Sequence, residues 1–270
     1  VLATKVGLVV SDPAGAPGNS PVVVNNGRPE HVRKSIDDSL RRLGTDHVDL
    51  YQPHRVDPQV PVEETWGAMA AGKARQIGLS EVNVEQIERA QSVHPEASVQ
   101  SELSQWTRAP LAEVQSELSQ WTRAPLAEVL PSCEEQGIAF LPFSPLGRGF
   151  LAGRFASFDD LPEDDFRRRL PRFQQDALRA DLAIVGRVRE IAERAGITPA
   201  QVALAWLVAR GRYVVPIPGT KTPKYLADNA GAGDVELSAA AWPTWTPFPH
   251  RKAAATETSG GGAWGACCPS

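Results

Sequence analysis

Ile138-Ala-Phe-Leu-Pro-Phe143 runs directly into Ser144-Pro-Leu-Gly-Arg-Gly-Phe-Leu-Ala-Gly153. The first six residues read as a short buried strand, and the next ten as a glycine-punctuated loop carrying one arginine, Arg148. In an open α/β sheet or a barrel, the loop after the C-terminal end of a strand is where phosphate-bearing ligands sit. Glycines let a backbone come close to a phosphate where a Cβ would block it. Taken alone, the stretch reads equally well as such a cradle or as an ordinary Gly/Pro turn.

Working outward, strands and helices alternate. Strand-like runs begin at Val1, Val48, Ala74, Ala97, Ile138 and Tyr213. Between them lie a polar loop over Ser11 to Arg28, a helix opened by Pro29 with Ile36, Leu40 and Leu43 at helical spacing, and helices over Thr65 to Ala71, Val84 to Val93 and Pro125 to Gln136. Two later helices carry the clearest signals. Ala177 to Ala195 places Leu178, Leu182, Val185, Val188 and Ile191 on one face, and Thr198-Pro-Ala-Gln201 is a capping box with Ile197 and Val202 positioned as a staple. A short helix over Lys224 to Ala230 follows the last strand. Such alternation predicts parallel βαβ units. About six units fit either an open doubly wound sheet or an incomplete eight-stranded barrel.

Gln100-Ser-Glu-Leu-Ser-Gln-Trp-Thr-Arg-Ala-Pro-Leu-Ala-Glu-Val114 recurs unchanged as Gln115 to Val129. A perfect tandem copy differs from the diverged repeats of a solenoid and reads as a duplication, over 100–129, inside one domain spanning 1–240. Residues 241–270 carry Trp/Pro and Gly/Ala/Ser sequence and are expected to be irregular. The chain opens at Val1 within a strand-like run, so two earlier strand-helix units are expected to be lacking.

Composition narrows the function classes. With 42% hydrophobic residues, 22% charged residues and a net charge of -4, the chain reads as a globular protein without the positive field of a nucleic-acid binder. No run approaches a membrane span. The cysteines, isolated Cys133 and adjoining Cys267 and Cys268, form neither a disulfide framework nor a metal-ligand spacing, which suits a reducing cytoplasm.

The C-terminal ends of parallel strands converge on one site, so their residues define the chemistry on offer. They are Lys5, then His54, then Ser80 with Glu81, then Gln100 or its copy Gln115, then Phe143 with Ser144, and finally Gly219, Thr220 and Lys221. A cation, an imidazole, amide-binding groups, an aromatic face and two phosphate-compatible loops suit a nucleotide cofactor beside a carbonyl.

Ala3-Thr-Lys5, Ser35 through Tyr51, His54-Arg-Val-Asp-Pro58, Gly78-Leu-Ser-Glu81, Phe143 through Gly149 and Ile217-Pro-Gly-Thr-Lys221 resemble, in order, the aldo-keto reductase family, most closely its branch related to potassium-channel β subunits. The resemblance runs from Val1 to about Ala240. It implies a (β/α)8 TIM-barrel fold, here incomplete, that binds NADP(H) and reduces small-molecule aldehydes or ketones. It further implies that Lys5 and His54 are catalytic, and that Ser80 and Gln100 (or Gln115) hold the nicotinamide amide while Phe143 stacks on its ring. Ser144, Leu146, Gly147 and Arg148 would hold the pyrophosphate. Gly219, Thr220 and Lys221 would hold the 2′-phosphate, with Asp228 and Asn229 near the adenine.

In the family a tyrosine donates the proton and an aspartate pairs with the lysine. Tyr51, Tyr213 and Tyr225 do not match that tyrosine, so impaired turnover is expected. The alternatives are an NADP(H)-binding regulatory protein of the channel-subunit kind, or an inactive relic. Gln52-Pro53 before His54 departs from the family pattern. Arg55 and Asp57 are expected to be structural, Trp106 and Trp121 to pack in a loop or wall a pocket, and Arg167-Arg-Arg169 to be a solvated face of a mobile loop.

Overall fold

The structure, a computed structural model, describes residues 1–12, 22–104 and 128–237. Gln115, Trp106, Trp121 and the tail over 241–270 lie outside the described residues. The described residues divide into two compact units, one of 1–12, 22–101 and 128–140, the other of 102–104 and 141–237.

The first unit begins with β1 (Ala3–Val6), then β2 (Leu8–Asp12) and β3 (Val22–Asn25). β2 and β3 pair antiparallel with a register shift between Val10 and Asp12, so the expected polar loop over Ser11 to Arg28 is in part a hairpin. The runs Leu8-Val-Val10 and Val22-Val-Val24 carried that signal. Then come α1 (Pro29–Leu43), β4 (Val48–Pro53), α2 (Val62–Ala70), β5 (Ala74–Ser80), α3 (Val84–Gln91), β6 (Ser98–Glu102), α4 (Leu130–Gln136) and β7 (Ala139–Phe143). α1 starts on Pro29, whose missing N–H costs nothing in the first turn, and stops at Gly44 in the left-handed region, where the Gly44 N–H donates to the Leu40 carbonyl. Val32, Ile36 and Leu40 are buried along it, whereas Leu43 is exposed.

The five-stranded sheet has the order β1-β4-β5-β6-β7. Its register sorts side chains by chemistry. Thr4 lies opposite Tyr51, Tyr51 opposite Ile77, and Leu79 opposite Val99, which fixes one face as apolar and buried. Lys5 lies opposite Gln52, Gly78 opposite Ser98, and Ser80 opposite Gln100, so the other face is polar. Because side chains alternate with period two, these sets cannot mix without a register slip. The helices cover the apolar face: the Tyr51 hydroxyl donates to the Val32 carbonyl of α1 at 3.0 Å. Pro53 is tolerated as the last residue of β4, where the next N–H, that of His54, donates to the Val6 carbonyl at 2.8 Å.

In the second unit Phe150, Leu151, Phe155, Leu161, Phe173 and Leu178 form one buried cluster with residues of α5 (Gln175–Ala195). Two helices follow, α6 (Pro199–Val208) and α7 (Pro223–Ala230). The sixth expected strand, Tyr213 to Ile217, is not formed as a strand. Only Val214 makes a bridge there, and the Ile217 N–H donates to the Pro142 carbonyl. Pro216 and Pro218 remove the alternate donors that a ladder requires.

The capping box at α6 forms as expected, with Thr198 Oγ1 accepting from the Gln201 N–H, and Ile197 packs against the Val188, Ile191 and Val202 cluster. Thr198 Oγ1 also donates to Asp228 Oδ2 at 2.9 Å, tying α7 to the start of α6. Thr198→Ala removes both bonds and is expected to cost about 1.5 kcal/mol, with Thr198→Ser recovering most of it, measured by urea denaturation. An alanine variant as stable as wild type would disprove the tie.

Candidate active site

In the first unit, four strand ends supply the polar groups. β1 brings Lys5 to Ser80 at the end of β5, with Nζ donating to Ser80 Oγ at 2.9 Å. Ser80 is buried and lies opposite Gln100 on β6, which is buried too. Burial brings the Lys5 ammonium down to about 8, with Glu81 opposing and Arg55 reinforcing the shift. His54 stands just past β4, open to solvent overall but with its ring partly enclosed by the protein. The burial of its ring, and then the cations Lys5 and Arg55, bring its pKa down to about 4, so the imidazole is neutral at physiological pH.

Two neighbours hold this end of the sheet: Gln52, unforeseen as a site residue, and Glu81, which stood among the strand-end residues. Gln52 Nε2 donates to the Leu79 carbonyl at 3.3 Å and to Ser98 Oγ at 3.1 Å, lying in the polar row between Lys5 and Gly78. Its departure from the family pattern was the available signal. Glu81, nearly buried, takes φ 56°, and its carboxylate pairs with Arg55, confirming Arg55 as structural. Asp57 is structural as well: its carboxylate accepts from the Gly27 and Gln59 N–H groups, each at 2.9 Å.

In the second unit, the loop after β7 winds into a 3-10 turn over Gly147–Gly149. The Gly147 N–H donates to the Ser144 carbonyl at 2.9 Å and the Gly149 N–H to the Leu146 carbonyl at 3.1 Å. Ser144 has φ 49° and Arg148 φ 56°. Among the described residues, the non-glycine residues with positive φ are Glu81, Ser144 and Arg148, all in loops at the C-terminal ends of β5 and β7. Such conformations cost about 1–3 kcal/mol each and concentrate where a site needs a fixed backbone.

Arg167 and Arg168 are half-buried and engaged, contrary to the expected solvated face, whereas Arg169 is exposed. Arg167 pairs with Asp165, lies over the Phe155 ring at 4.3 Å, and donates to the Arg148 carbonyl at 2.8 Å, bracing the loop. Arg168 donates to the Leu161 carbonyl at 2.6 Å and lies over the Phe158 ring. Composition alone hides this, because a guanidinium serves carbonyls and aromatic faces as readily as water.

The remaining positions divide. Phe143 and Leu146 are half-buried, with Leu146 packed on the unit's apolar cluster. Gly219, Thr220 and Lys221 are exposed ahead of α7, where the Thr222 N–H donates to Thr220 Oγ1. A Cβ at Gly219 would meet nothing within 4 Å, so the chain's own packing does not require glycine there. Asn229 is buried, and the Asp228 carboxylate is engaged by Thr198.

Parallel βα units, with a lysine and an imidazole at strand ends in the first unit and a braced glycine-arginine loop after a strand in the second, mark an α/β barrel-type protein. The aldo/keto reductase family model matches residues 1–248, and the chain belongs to that family. It is 41% identical over 217 residues to the Schizosaccharomyces pombe protein "aldo-keto reductase yakc", named for NADP(+), covering 79% of this chain and 60% of that one. It is 39% identical over 241 residues to a probable aldo-keto reductase of Glycine max, covering 88% and 63%. A glycerol dehydrogenase structure from Gluconobacter oxydans superposes with a TM-score of 0.73 at 25% identity, covering 94% of this chain and 75% of that one. The chain thus spans between 60% and 65% of the length of the curated relatives it matches. No helix among the described residues is long and apolar enough to cross a membrane.

Proposed function

We propose that this chain binds NADP(H) and serves the reduction of small aldehydes or ketones in the cytoplasm, with weak turnover by the chain's own residues. The observation that carries the reading is the Lys5–Ser80 contact at parallel strand ends in a chain of this family. The donor set fits the cofactor: Arg148 and exposed Lys221 are cations for phosphates, and Lys221 lies just ahead of the N-terminus of α7, where an anion is favoured.

When bound, NADPH supplies a hydride. Negative charge then builds on the substrate oxygen, where the Lys5 ammonium stabilises it and neutral His54 orients the carbonyl with a ring N–H. Ser80 and Gln100 would hold the nicotinamide amide, and Phe143 would offer its ring a face to stack on. Ser144, Leu146, Gly147 and Arg148 would hold the pyrophosphate. Gly219, Thr220 and Lys221 would take the 2′-phosphate, and Asp228 and Asn229 would serve the adenine.

Weak turnover follows from where the tyrosines are. Tyr51 faces α1, across the sheet from Lys5, with its hydroxyl on the Val32 carbonyl and its pKa raised by burial. Tyr213 is contacted by the guanidinium of Arg212, and Tyr225 is exposed on α7. The Lys5 partner is instead the Ser80 hydroxyl, a far weaker acid.

NADPH titration by cofactor fluorescence tests the reading. Lys221→Ala is expected to weaken NADPH about tenfold, or about 1.4 kcal/mol, and to leave NADH binding unchanged. Equal affinity for the two nucleotides, unaffected by the substitution, would overturn the 2′-phosphate assignment. Rapid aldehyde reduction by this chain would overturn the weak-turnover assignment.

A further inference from the structure

We propose that Gln52 is a positioning residue: its side-chain amide fixes the strand end from which Ser80 meets Lys5 and, on the function proposed above, the nicotinamide amide. Gln52 is buried on the polar face of β4, where its register partner on β1 is Lys5. Its Nε2 donates in the other direction, to the Leu79 carbonyl on β5 at 3.3 Å and to Ser98 Oγ on β6 at 3.1 Å. One amide thus ties three neighbouring strands together, in the layer just before Ser80 and its register partner Gln100. Gly78 leaves the room for it: a Cβ there would stand 3.1 Å from Nε2.

The Leu79 carbonyl belongs to the same planar peptide group as the Ser80 N–H, so the Gln52 bond holds the plane from which Ser80 projects. Glu96 Oε1 holds the preceding peptide, accepting from the Leu79 N–H at 2.9 Å. Beyond Ser80, the Glu81 N–H donates to the Gln100 carbonyl at 2.8 Å. Ser80 therefore sits between restrained peptides, with its hydroxyl 2.9 Å from Lys5 Nζ. Hydrogen bonds weaken steeply as angle and distance drift, so a tilt of this peptide loosens whatever Ser80 holds. In this role Gln52 acts through Ser80 and makes no bond to the reacting atoms itself. The cofactor half of the proposal rests on the NADP(H) reading; the hold on Ser80 does not.

Two measurements on Gln52→Met, which keeps the length of the side chain and removes its amide, test the proposal. In the unliganded chain, amide exchange at Ser80 and Glu81 is expected to rise about tenfold relative to the amides of α1 in the same protein. Gln52→Asn, whose amide stops one methylene short, is expected to show the same change. An unchanged ratio overturns the proposal. In nucleotide titrations, Gln52→Met is expected to weaken NADPH about tenfold and to leave adenosine 2′,5′-bisphosphate, which carries no nicotinamide, within about twofold. Equal loss for both nucleotides would mark a merely structural role and overturn the assignment. Ser98→Ala keeps the Leu79 bond and is expected to hold NADPH within about twofold of wild type; a loss as large as that of Gln52→Met would overturn the role given to the Leu79 carbonyl. A wild-type chain that binds neither nucleotide would overturn the NADP(H) reading alone, since the exchange ratio judges Gln52 without any ligand.

Discussion

Gly78→Ala is expected to cost about 3 kcal/mol or more, roughly a fifth to three fifths of the stability of an ordinary domain. Gly78 sits on the polar face of β5, opposite Ser98 on β6. A Cβ built there would lie 2.2 Å from Ser98 Oγ, 2.6 Å from the Ser98 carbonyl oxygen and 3.1 Å from Gln52 Nε2. The hydroxyl can rotate away; the carbonyl cannot move without prising the two strands apart. That movement would break the Gln52–Ser98 bond and shift Ser80, two residues on, from Lys5. Urea denaturation separates the contributions. Ser98→Ala alone should cost about 1 kcal/mol through the lost Gln52 acceptor. The double variant should regain only part of the Gly78→Ala loss, because the backbone clash remains. Full recovery in the double variant would show the clash to be with the side chain alone.

The same crowding shows why the sequence was legible in some places and silent in others. Strands and helices with a strong period were readable: the capping box at Thr198 and the apolar face of α5 are local signals that tertiary packing did not override. Lys5 next to Ser80 followed from strand ends converging on one side of a parallel sheet. What stayed hidden depends on partners distant in sequence. Gln52 gains its meaning only when Leu79 and Ser98 are brought to it, and Arg167 only when the Arg148 carbonyl and the Phe155 ring are. The hairpin of β2 and β3 lost out to the Gly/Pro content of the connecting residues, and the strand expected at Tyr213 to its alternate prolines. The bond from Thr198 to Asp228, which ties α7 to the start of α6, likewise joins groups thirty residues apart in sequence.

Glu96→Gln is expected to stabilise the protein by about 3 kcal/mol at pH 7 and by nothing below pH 4.5. Glu96 is buried beneath the end of β5, where Oε1 accepts from the Leu79 N–H at 2.9 Å while Oε2 has no partner. Burial pushes its pKa from 4.5 up to about 8, with the Leu79 bond opposing. A carboxyl whose pKa is higher folded than unfolded contributes its stability fully below 4.5, and that stability is lost as pH rises to about 8. In that window folding takes up a proton, so stability falls by about 1.4 kcal/mol per pH unit. Glutamine keeps the acceptor for Leu79 and needs no proton, so its variant should lack the slope. Its unpartnered NH2 replaces an unpartnered OH, and those costs nearly cancel. Cys133, held up to about 12 by burial and by Glu96, stays neutral throughout. His54 acts in the opposite sense: its pKa is lower folded than unfolded, so stability rises with pH between about 4 and 6.5, by a modest amount because the residue is exposed. Lys5 adds stability with rising pH only above about 8. The wild-type curve is therefore flattened in the acid range and falls most clearly between 6.5 and 8. Subtracting the Glu96→Gln curve removes His54 and Lys5 together and isolates the carboxyl. Urea melts at half-unit steps from pH 4 to 8.5 measure that difference, and parallel curves for the two proteins would show that Glu96 does not carry the proton.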